Sequence, residues 1–189
     1  MNVQNLKKGD VLFICDSSEK NISGLSKGYA QYSYYHCALY IGAGKIIEAV
    51  DTKGVIKADI SKYSDKRVLV ARVNKDQNFL DQVVLQAQQF ISFSYNDLFL
   101  PNMKGKLYCS ELIHEAFNLA SKQKYFTQHK LNYISESDSS VSQYWIEFYA
   151  QHGLKVPQGL SGSHPNNLSL DEKFYKRFFL EDIFINDYN

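Results

Sequence analysis

The sequence predicts an α+β domain with an antiparallel sheet built early and helices packed against it. Three observations carry this. Short apolar runs bounded by turn residues crowd into the first 75 positions. Helical spacing of apolar residues takes over after them. No internal repeat and no linker-like stretch divides the 189 residues, so one domain over 1–189 is expected.

The elements follow in order. Residues 9–15, Gly-Asp-Val-Leu-Phe-Ile-Cys, form a continuous apolar run after a turn signal and read as a buried strand. Residues 16–33 are rich in Ser, Gly, Lys and Asn and read as a loop with one helical turn. Residues 35–41 and 45–50 flank Gly42-Ala43-Gly44, a hairpin signal. Val55 to Ile60 and Val68 to Val73 are further strands. Phe79, Leu80, Val83, Val84, Ala87, Phe90 and Ile91 keep helical spacing, and residues 93–107, with Pro101 and Gly105, read as loop. Leu112, Ile113, Ala116, Phe117 and Ala120 place a second helix from near Cys109. Residues 123–140 read as a polar surface excursion, Val141 to His152 as a third helix, 157–167 as turns, and 170–180 as a last helix.

Composition excludes several classes. An apolar fraction of 44% and a charged fraction of 22% rule out wholesale disorder. Twenty-one basic residues balance 20 acidic ones, so no nucleic-acid partner is indicated. No run reaches the ~18 apolar residues of a membrane span. The N-terminus lacks the basic start and apolar run of a signal peptide, which places the chain in the cytoplasm. A chain whose leader had been removed would instead be periplasmic or secreted. Three cysteines at wide spacing make neither a disulfide framework nor a structural zinc site. Oligomeric state is left open.

Three residues carry chemistry. Cys109 opens a helix, where the dipole and free N–H groups stabilise thiolate and could hold an oxyanion. The plain alternative is a small buried core thiol. His36 opens a strand and is placed to reach into a cleft. Glu48 is a carboxylate inside an apolar strand and needs a partner there. With a three-residue hairpin loop, Ala38 faces Glu48 and His36 shares its face. With only Ala43-Gly44 in the turn the two fall on opposite faces, so their pairing predicts the longer loop or a bulge. Cys37, adjacent to His36, points to the other face and reads as core, as does Cys15.

The stretch from His36 through Tyr40-Ile41-Gly42 to Glu48-Ala49, and Tyr108-Cys109-Ser110-Glu111-Leu112, resemble the circularly permuted NlpC-type cysteine hydrolases, in particular the YiiX/YebB-like group. Lys8-Gly9-Asp10-Val11-Leu12-Phe13 is similar to that group's opening strand, and Phe93 to Phe99 to its Tyr-Asp-rich segment. Gly162-Ser163-His164-Pro165-Asn166-Asn167-Leu168 is similar to its closing element. The chain departs from the pattern with Asn96 before Asp97 and with a long 123–140 segment.

The resemblance implies a permuted papain-like fold and an amidase or peptidase. Cys109 would be the nucleophile, His36 the base and Glu48 its orienter, acting through a thioester on a small peptide or amide, cell-wall-type peptides among the candidates, without metal or cofactor. Tyr108, Tyr35 and Tyr95 are candidate oxyanion or substrate-binding residues. Two other classes share this residue set: a lecithin-retinol-type acyltransferase or lipid-acyl hydrolase, and a non-catalytic binding module. Intact Cys109, His36 and Glu48 argue against the last.

Overall fold

The computed structural model describes residues 4–15, 26–134 and 139–180. A six-stranded antiparallel sheet organises them. Its strands are β1 (Val11–Cys15), β2 (Tyr34–Gly42), β3 (Lys45–Val50), β4 (Gly54–Asp59), β5 (Val68–Val73) and β10 (Phe174–Leu180), in the spatial order β10-β5-β1-β2-β3-β4.

Both faces of the central strands are covered, which is why β1 reads as an unbroken apolar run and β5 as one interrupted only by Arg72, rather than alternating. One face carries Val11, Phe13, Cys37, Leu39, Ile47, Leu69 and Ala71, and two helices pack on it. These are α1 (Gln77–Gln89) and α2 (Cys109–Ser121). The side chain of Asp76 caps α1 by accepting the Phe79 N–H at 2.8 Å. The other face carries Leu12, Ile14, Ala38, Tyr40, Ile46 and Val70, closed by Ile60 and Tyr63 from a 3₁₀ turn at Ile60–Tyr63. At ~1.5–3 kcal/mol for each fully buried large apolar side chain, these two layers supply most of the drive to fold. Arg72, inside β5, pairs Nε and Nη2 with the two oxygens of buried Asp10, both at 2.7 Å.

Two expectations need correction. Residues 170–180 do not form a helix: β10 runs antiparallel along β5, placing Phe178 opposite Val70 and Leu180 opposite Val68. Short apolar runs fit either period, and the deciding partner lies a hundred residues upstream. Nor is 123–140 only a polar surface excursion. Tyr125 and Phe126 are buried in the main core, and Leu131 and Tyr133 join Trp145 and Tyr149 in a satellite cluster. The last two come from α3 (Gln143–Gln151). Residues 135–138 of that segment, and 16–25 of the early loop, lie outside the described residues.

The turn-rich stretches hold small elements. β6 (Ser94–Tyr95) pairs parallel with β7 (Lys106–Leu107), and β8 (His129–Lys130) pairs antiparallel with β9 (Ser161–Gly162). A five-residue helix α4 (Pro165–Ser169) opens with proline at its first position. Among the described residues no helix is long and apolar enough to cross a membrane.

Candidate active site

The β2–β3 hairpin settles whether His36 and Glu48 can meet. Its turn is the short one, Ala43-Gly44, both with positive φ as a type I′ turn requires. The register then slips by one residue between Tyr40 and Gly42, a β-bulge helped by Gly42 at φ 94°. Leu39 pairs with Ile47 and Tyr40 with Ile46, so Glu48 falls opposite Ala38 and shares a face with His36. The bulge undoes what the two-residue turn alone would have done.

His36 Nε2 lies 2.9 Å from Glu48 Oε2. Glu48 is fully buried and receives two more donors from the 3₁₀ turn after β4. Tyr63 Oη donates to Oε2 at 2.6 Å and Lys62 Nζ to Oε1 at 2.6 Å. Burial pushes the carboxyl up, but His36, Lys62 and Tyr63 together outweigh it and hold it down at about 2.

Cys109 is the first residue of α2, after an extended Tyr108. Its first turn is tied to the preceding loop. Glu111 Oε2 accepts the Tyr108 N–H at 3.3 Å and Asn96 Nδ2 at 3.2 Å. Burial lifts Glu111 to about 7 despite these donors. The Cys109 thiol lies beside the His36 ring, and each shifts the other's pKa. Burial would lower the His36 pKa, but bonding to Cys109 and then to Glu48 raises it to about 9.

Cys37 is a surprise in part. It is buried in the core and points away from His36, as expected. The face it points to is the one α2 covers, and there it lies against the Cys109 sulfur. This contact lowers the Cys109 pKa most. Burial opposes it, the His36 bond and charge add to it, and the thiol ends well below its usual range. Cys37 itself is pushed well up, chiefly by burial, and stays an S–H donor. Burial likewise lifts Cys15 to about 11.

The candidate tyrosines differ in placement. Tyr35 is 41% exposed and stacks on His36 with ring centroids 6.1 Å apart. Tyr95 is half-buried and close enough to Cys109 to feel its thiolate charge. Tyr108 is buried, its ring tilted against Phe99 and its oxygen accepting the Ser163 N–H at 3.1 Å. Among the described residues no group of three or more His, Cys, Asp and Glu side chains is arranged to hold a metal ion.

Sequence reasoning passed over Lys62, Tyr63 and the Cys37–Cys109 contact. The buried carboxylate was a signal, since it has about four lone-pair sites and one histidine fills only one. Nothing local names the residues that fill the others.

Residues 5–176 match the family described as permuted papain-like amidase enzyme, YaeF/YiiX, C92 family. No curated protein sequence matches the chain. The fold is similar to a crystal structure described as metalloprotein yiiX from Escherichia coli O157:H7, with a TM-score of 0.72 and 18% sequence identity. That match covers 93% of this chain and 96% of the other.

Proposed function

The chain belongs to the permuted papain-like amidase family, and from that premise we propose that it hydrolyses an amide in a small peptide through Cys109. The observation that carries the proposal is one thiol at a helix start, beside a histidine whose Nε2 meets a buried carboxylate at 2.9 Å. That is the nucleophile, base and orienter order of covalent acyl transfer.

The Cys109 thiolate attacks the carbonyl carbon while the imidazolium of His36 holds the proton. The carbonyl oxygen, now negative, is met by the Cys109 N–H at the head of α2. His36 then gives its proton to the leaving amine, and a thioester remains on Cys109. Water, deprotonated by His36, attacks the thioester, releases the acid and returns the thiol. Glu48 keeps the imidazole in place and stabilises its charged form, and Lys62 and Tyr63 keep Glu48 ionised. Tyr35 and Tyr95 line the approach.

The test is alkylation by iodoacetamide at about pH 6, read by peptide mass spectrometry. A thiol of ordinary pKa, ~8.5, is mostly protonated there. Cys109 should be labelled before Cys15 and Cys37, and His36→Ala should slow it. Labelling of Cys109 no faster than the other two would overturn the proposal.

A further inference from the structure

The closing segment of the fold carries a second histidine close to Cys109. Ser163 is fixed to the head of α2 on both sides of Cys109. Its N–H donates to Tyr108 Oη at 3.1 Å, and its Oγ donates to Ser110 Oγ at 2.9 Å. Two residues past His164, Asn166 Oδ1 accepts the N–H of Tyr34 at 2.6 Å, at the start of the strand that carries His36. His164 is thus pinned between the segment that presents Cys109 and the one that presents His36.

Its tautomer is set by its own backbone. Nδ1 accepts the Asn166 N–H at 3.1 Å as the cap of α4. Nδ1 is therefore the bare nitrogen, and Nε2 carries the proton. The side chain is only half-buried, and the described residues offer Nε2 no acceptor. Burial holds the ring neutral, its pKa pushed down to about 4. The ring lies near enough to Cys109 to feel its thiolate charge.

We propose that His164 is a catalytic residue whose Nε2–H donates to the carbonyl oxygen as Cys109 attacks, completing an oxyanion site with the Cys109 N–H. A neutral, preoriented donor suits this role, since it adds a hydrogen bond without competing with His36 for the thiol proton. The inference rests on the thiol-hydrolase reading above.

Two reagents separate the two claims. Iodoacetamide alkylates a thiolate by displacement at carbon and forms no oxyanion. p-Nitrophenyl acetate acylates it: sulfur bonds to the carbonyl carbon, the oxygen turns negative, and p-nitrophenolate leaves as the carbonyl reforms. His164→Asn keeps an acceptor for the Asn166 N–H but loses the distal donor. His164→Gln restores an N–H near the Nε2 position. In the full chain, H164N should acylate ~100-fold more slowly than wild type, with alkylation of Cys109 within ~2-fold, and H164Q should recover to within ~10-fold of wild type.

Acylation of H164N at the wild-type rate would overturn the inference, as would equal losses in H164N and H164Q. Wild-type Cys109 that alkylates at pH 6 but is not acylated would overturn it too, with the activated thiol left standing. Failure of Cys109 to alkylate preferentially would bring down the thiol-hydrolase reading and this inference with it.

Discussion

Glu48→Gln isolates what the buried carboxylate does to His36. The substitution keeps the side chain's shape and an oxygen for the imidazole and Tyr63, and removes the charge 2.9 Å from Nε2. In the wild type the His36 pKa rises from 6.5 to about 9. At about 1.4 kcal/mol per unit, that gap is worth ~3 kcal/mol of preference for imidazolium. Cys109 is the larger contributor and Glu48 the smaller, with burial opposing both. The loss expected for E48Q is therefore on the order of one unit, ~1.4 kcal/mol. The assay is a titration of the His36 ring by proton–nitrogen correlation NMR. The wild-type midpoint should lie near 9, that of E48Q lower by about one unit, and that of Cys109→Ala lower still. The double variant should fall below 6.5, because burial alone remains. An E48Q midpoint equal to that of wild type, or a larger drop in E48Q than in C109A, would refute the reasoning.

The same carboxylate makes an acid-stability prediction. Its folded pKa of about 2 lies below the ordinary 4.5, so its contribution is present above pH 4.5 and lost as pH falls through 2. Urea unfolding of E48Q should lack that part of the acid slope. His114, buried in α2 against Phe126, has no hydrogen-bond partner for either ring nitrogen among the described residues. Burial depresses its pKa from 6.5 to about 4, so the unfolded chain binds the proton first and wild-type stability falls between pH 6.5 and 4. His114→Leu should flatten that window and add ~1 kcal/mol at pH 7 by removing unpaired polar atoms, and a loss of stability at pH 7 with an unchanged slope would contradict this. Arg72→Met leaves Asp10 buried without its guanidinium and should cost ~3–5 kcal/mol in urea unfolding, while Cys109 alkylation in the folded protein is unchanged.

Much of this was legible along the chain. The strands around 11–15, 45–50 and 68–73 announced themselves because burial on both faces leaves a near-continuous apolar run, interrupted within it only by Glu48 and Arg72. The α1 and α2 helices were legible because one stripe faces the sheet. Cys109 stood out from its place at a helix head, and Glu48 from the cost of a charge in an apolar strand. Residues 174–180 were misread because an edge strand with a partly covered face has too little pattern to separate a period of 2 from 3.6. What decides it is the ladder with β5, a contact between distant segments. Tyr125, Phe126, Leu131 and Tyr133 were hidden in a polar stretch because isolated aromatic residues show no period.

The sequence by itself determined most of the elements and the three reactive residue types, since propensity, periodicity and the cost of a buried charge act over a few neighbours. Tertiary structure alone decided which side chains meet. A one-residue bulge after Tyr40 turned His36 toward Glu48, and a turn fifteen residues on supplied Tyr63 and Lys62. Packing of α2 on β2 set Cys37 against Cys109. The closing segment, clamped by Ser163 and Asn166, carried His164 close to Cys109. Hydrogen bonds of under 3 Å depend on register and helix placement to within about one residue, and that precision exists only once distant segments are packed.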